Sequence, residues 1–78
     1  MREKSLKKVI TFNSTTDAIG FEKYCHQNQI PGRVIPVPRQ LSASCGICWM
    51  LPVEDAVSIE ETITAAGLSY AGIYELML

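Results

Sequence analysis

Seventy-eight residues provide one hydrophobic core, and a chain this short buries only about 60% of its unfolded surface, which leaves no room for a deep enclosed active site. With 47% apolar and 19% charged residues the composition is that of a folded protein and excludes a disordered chain. A net charge of −1 lacks the basic excess that a phosphate backbone demands, so nucleic acid is not an expected partner.

The chain opens on Met1-Arg2-Glu3-Lys4-Ser5-Leu6-Lys7-Lys8, charged but with no apolar run of signal-peptide length behind it. Residues 1–7 read as a flexible tail, with Lys4, Lys7 and Lys8 solvated. Lys8 to Phe12 is β-branched and aromatic, a short strand. Asn13-Ser14-Thr15-Thr16-Asp17 is rich in helix-capping residues, and Ala18, Phe21 and Cys25 recur at helical spacing, so a helix is expected from Thr15 to Asn28. Pro31-Gly32 ends it. Arg33 to Arg39 is extended, but with Pro36 and Pro38 it fits only an edge strand. Residues 40–53 carry no charge yet are short and broken by Ser, Gly and Pro, so they do not span a membrane.

Ile47 to Leu51 reads as a third strand. Pro52-Val53-Glu54-Asp55 opens a second helix with acids in its first turn, where the helix dipole favours them. Ala56, Ile59, Ile63 and Ala66 form its buried stripe and Gly67 ends it. Leu68 to Leu76 is the last strand. The order is β-α-β-β-α-β, an α+β ferredoxin-like fold over residues 1–78, with one four-stranded antiparallel sheet and two helices on one face.

That topology sets strand 3 between strands 1 and 2. It brings the loop joining strands 2 and 3 to the end of the sheet where helix 1 begins. Cys45 is then expected beside the Asn13–Asp17 helix start, and a helix N-terminus lowers the pKa of a nearby thiol.

Cys45-Gly46-Ile47-Cys48 is a C-x-x-C pair, a spacing that serves thiol–disulfide exchange, soft-metal binding and half of a zinc site. Zinc needs two further ligands, and the chain offers only Cys25, on the buried stripe of helix 1, and His26, which points elsewhere. No metal site and no cofactor are therefore expected. Copper(I) stays open, since two thiolates and Met50 are soft ligands. Thioredoxin-type chemistry places the first cysteine at a helix start, whereas this pair leads into a strand. Three cysteines do not suit a secreted disulfide framework, and a reducing cytoplasm is the expected compartment. Ser42, Ser44 and Gly46 are small and keep the Cys45 thiol approachable, while Arg39 favours its thiolate by charge. Arg33 and Arg39 also suit an edge strand as charges that discourage sheet-to-sheet pairing.

Ile35-Pro36-Val37-Pro38-Arg39, Leu41-Ser42 and Cys45-Gly46 together resemble the signature of the selenium/sulfur carrier-like proteins, small bacterial and archaeal domains. The resemblance runs from the Thr11-Phe12 strand to Gly72-Ile73-Tyr74. It implies that Cys45 accepts sulfur or selenium as a persulfide or selenopersulfide and hands it on, with Gly46 its partner in the motif; Arg39, Ser44 and Gly46 are the expected substrate-binding residues. The partners would be a cysteine desulfurase or another sulfur- or selenium-transfer protein. Cys48 departs from the family pattern and becomes either a route of discharge or a resolving thiol. Such a carrier needs no pocket and is not an enzyme on its own.

A second class of function stays open. Strands 1, 3 and 4 are expected to bring Trp49, Tyr70, Tyr74 and Leu76 to the sheet, more apolar groups than one covered face needs. A homodimer or binding module using the open sheet face, without thiol chemistry, is the alternative.

Overall fold

The computed structural model describes residues 4–39, 41, 46–56 and 58–78. Its elements are strand β1 (Leu6–Thr11), helix α1 (Thr15–Gln27), strand β2 (Arg33–Pro36), strand β3 (Ile47–Pro52), a 3₁₀ turn (Val53–Asp55), helix α2 (Ile59–Ala66) and strand β4 (Gly72–Met77). The strands form one sheet in the order β2-β3-β1-β4, and every neighbouring pair is antiparallel. This is the expected α+β ferredoxin-like layout.

Strand alternation decides what the two faces of the sheet carry. Ile10, Phe12, Trp49 and Leu51 point to one face and form a single core cluster with Ala18, Phe21 and Cys25 of α1 and Ile59 and Ile63 of α2. Both helices therefore cover the same face. Val9, Thr11 and Cys48 alternate to the other face and are nevertheless buried. Tyr74 leans back along that face over Gly72, where a Cβ would come within 2.9 Å of its hydroxyl.

Helix α1 starts as its sequence dictates. Ser14 is extended, and its hydroxyl accepts the Asp17 N–H at 3.2 Å, satisfying one orphan donor of the first turn. It ends at Asn28, with Gln29 in the left-handed region at φ 56°, a place more often given to glycine.

Several boundaries differ from expectation, and β2 ends at Pro36 where the extended segment is expected to run to Arg39. Leu6 and Lys7 belong to β1 and not to a tail, and Ser5 exchanges both backbone hydrogen bonds with Leu78. Lys8 is not solvated either: its ammonium lies 3.5 Å from both Glu60 and Glu75, joining β1 to α2 and β4. Helix α2 begins at Ile59, because Pro52 finishes β3 and the acids Glu54 and Asp55 occupy a separate 3₁₀ turn. The last strand begins at Gly72. Gly67 takes φ +69° and the Leu68 N–H returns to the Ile63 carbonyl at 3.2 Å, so the backbone at Leu68 closes the helix and is not available to a ladder.

A further correction concerns Trp49. It lies in the helix-covered core, its ring centroid 5.7 Å from that of Phe21, and not on the open face with Tyr74 and Leu76. Tyr70 precedes β4 and is in no strand.

Candidate functional site

Ser42, Ser44 and Cys45 lie outside the described residues, so the site is built from what flanks them. Thr11, the last residue of β1, is the register partner of Cys48, and Ile47 opens β3 beside Pro36. The end of β1, the start of β3 and the start of α1 thus share one end of the sheet. One more pair extends the β2–β3 ladder there, since the Val37 N–H donates to the Gly46 carbonyl at 3.1 Å. The Leu41 N–H in turn reaches back to the Pro38 carbonyl at 3.0 Å. Between these two clamps run Ser42 to Cys45.

Gly46 is exposed and adopts φ +79°, with nothing within 4 Å of where a Cβ would stand. Its role is conformational: a side chain would fit in space but would be strained by about 1–2 kcal/mol in this region of backbone space. Arg39 is exposed on the same connection. Arg33 is not brought to this end, for it pairs with Met50 at the far end of β2, three residues or roughly 10 Å of strand away from Pro36.

The two described cysteines are both withdrawn from water. Cys48 is fully buried in β3 on the open face, opposite Thr11, whose hydroxyl donates to the Gly72 carbonyl at 3.3 Å. Met50 lies on that face two residues along. Cys25 is fully buried in the core between α1 and the sheet, and burial pushes its thiol up to about 11 from an ordinary 9.0. His26, beside it on the helix, is exposed. Among the described residues no group of three or more His, Cys, Asp and Glu is placed to hold a metal ion. Nor is any helix among them long and apolar enough to cross a membrane.

The raised Cys25 pKa makes a prediction. The unfolded chain releases this proton near pH 9 and the native chain near pH 11, so between those values the unfolded state holds fewer protons and stability falls as pH rises. The loss approaches roughly 3 kcal/mol above pH 11 and is absent below pH 9, from two pKa units at about 1.4 kcal/mol each. Urea unfolding of wild type and Cys25→Ala across that range should show a flatter alkaline slope in the variant; equal slopes would refute it.

Sequence reasoning missed the Val37–Gly46 clamp. The signal was available: Pro36 and Pro38 lack N–H groups, so Val37 alone among the three can donate.

A family model described as "Putative Se/S carrier protein-like" matches residues 7–75. The chain belongs to this family. The matched span runs from β1 to the middle of β4 and takes in the whole connection between β2 and β3. No curated protein and no solved structure matches the chain.

Proposed function

We propose that the chain carries sulfur or selenium on Cys45 as a persulfide or selenopersulfide. The observation that carries this reading is the family match across residues 7–75, with Ser42-x-x-Cys45-Gly46 inside it. Two further observations support it. The other two thiols, Cys25 and Cys48, are buried and closed to a large donor protein. The described residues that flank this segment, Leu41 and Gly46, are tied back to Pro38 and Val37 by backbone hydrogen bonds, and a carrier needs a loop mounted on a rigid frame.

Loading is a transfer without net oxidation. The Cys45 thiolate attacks the terminal sulfur of a donor persulfide; a new S–S bond forms on Cys45 and the donor cysteine leaves as thiolate. Delivery reverses the roles, an acceptor nucleophile taking the terminal sulfur and Cys45 leaving as thiolate. Selenium follows the same path as the terminal atom. Arg39 would favour the thiolate by charge, and Gly46 would give the loop its backbone turn. Cys48 could act as a resolving thiol only after the start of β3 opens, because its side chain has no exposure in the closed sheet. The donor would be a cysteine desulfurase or a related transfer protein.

Intact mass spectrometry after incubation with a cysteine desulfurase and cysteine tests this. Wild type, Cys25→Ala and Cys48→Ala should each gain one sulfur atom, and Cys45→Ala none. No gain in wild type with its thiols reduced, or a gain retained in Cys45→Ala, would end the carrier reading.

A further inference from the structure

The two edges of the sheet are built differently. On the β2 edge the ladder alternation set by the Val37–Gly46 bond turns the nitrogens of Val34 and Pro36 outward, and Pro36 has no N–H to offer. Arg33 and Arg39 stand exposed on the same segment. Prolines and charges are how natural sheets close an edge to other chains.

The β4 edge has no proline and a single charge. Ser5 and Leu78 exchange both backbone bonds, so alternation along the β1–β4 register turns the N–H and C=O of Ile73, Glu75 and Met77 outward. No proline or lysine interrupts Gly72–Met77, and its one charge, Glu75, is drawn to Lys8 at 3.5 Å. Exposed large apolar residues gather here as well. Among the described residues Tyr74 and Met77 lie on β4, Leu6 faces Met77 across the ladder and Tyr70 precedes the strand, leaving only Ile19 elsewhere.

We propose that β4 pairs with β4 of a second copy of this chain, antiparallel across a two-fold axis, giving one continuous eight-stranded sheet. The occupant is a second copy because the strand is complementary to itself. Pairing centred on Tyr74 sets Ile73 and Glu75 opposite each other in both directions, so the outward N–H and C=O groups of each meet those of the other. It also keeps the two Glu75 carboxylates from facing one another and stacks the two Tyr74 side chains on the open face. Pairing centred on Glu75 would set like charges directly opposite, which destabilises a ladder. The interface lies at the edge of the sheet opposite β2, and the proposal does not rest on the carrier reading.

Analytical ultracentrifugation across a wide concentration range tests it. Wild type should reach twice its 8.6 kDa monomer mass. Glu75→Pro, which removes an outward N–H and the ion pair to Lys8 but no backbone hydrogen bond to β1, should remain monomeric with unchanged far-ultraviolet circular dichroism. The register is tested separately in a Cys45→Ser background, whatever the folding of the proline variant. Tyr74→Cys should be captured as a covalent dimer by diamide, and Glu75→Cys should not, because directly opposed positions fall within disulfide reach. A wild type that stays monomeric at millimolar concentration overturns the proposal. So does a dimer that a folded Glu75→Pro variant keeps, or cross-linking at Glu75→Cys but not at Tyr74→Cys.

Discussion

Gly32→Ala is expected to lower the unfolding free energy by about 3 kcal/mol, adding overpacking to left-handed backbone strain. Gly32 takes φ +122°, a conformation that an L side chain rarely adopts. A Cβ there would stand 2.5 Å from the Met50 carbonyl oxygen and 2.5 Å from the Trp49 indole nitrogen. The first of these is backbone in the middle of β3, opposite Arg33, and cannot step aside without disturbing the ladder to β2. Total stability for a chain of this length is roughly 4–12 kcal/mol at 0.05–0.15 kcal/mol per residue, so the loss is a large share of the whole. Equilibrium urea unfolding should show a lower midpoint with an unchanged slope. A shift under about 0.5 kcal/mol, the scale of an unremarkable surface substitution, would mean that the Pro31-Gly32 turn does not press on Trp49 as the geometry has it.

How far the fold could be read from sequence depended on whether local signals agreed. Ser14, Ala18, Phe21 and Cys25 all pointed to the same helix, and α1 lies within a residue of where they set it. The prolines of the second extended segment fixed an edge strand because proline cannot donate in a central ladder. Trp49 was not legible. Ile47-Cys48-Trp49-Met50-Leu51 is apolar at both parities, so alternation within the strand names no inner face; only the register Ile10↔Trp49, set by β1, decides it. Pro52 was ambiguous for a similar reason, since a proline that can begin a helix can also close a strand. At the candidate site the sheet-end location of the β2–β3 connection followed from topology alone. The burial of Cys48 did not, because it depends on Thr11 across the ladder and on the neighbours that close over that face.

Trp49→Ala should cost about 3–5 kcal/mol, the usual loss for truncating a buried aromatic, and should leave the chain largely unfolded at moderate urea. The indole is 1% exposed and belongs to a run of rings, Phe12 to Phe21 at 5.2 Å between centroids and Phe21 to Trp49 at 5.7 Å. Its Nε1 also donates to the Pro31 carbonyl at 3.3 Å, tying the turn after α1 to β3. Trp49→Phe keeps most of the packing and loses that bond, worth about 1 kcal/mol, so its midpoint should fall between wild type and Trp49→Ala. The indole ring atoms that a Gly32 Cβ would meet are absent in Trp49→Phe, whereas the Met50 carbonyl stays. Gly32→Ala should therefore cost less in the Trp49→Phe background than in wild type, but still measurably, which a double-mutant cycle followed by circular dichroism would read as coupling. Strict additivity would show that the Met50 carbonyl alone sets the cost. On the carrier reading proposed above, Trp49→Phe that remains folded should still gain one sulfur in the desulfurase assay, because Trp49 is buried in the helix-covered core and supplies no thiol.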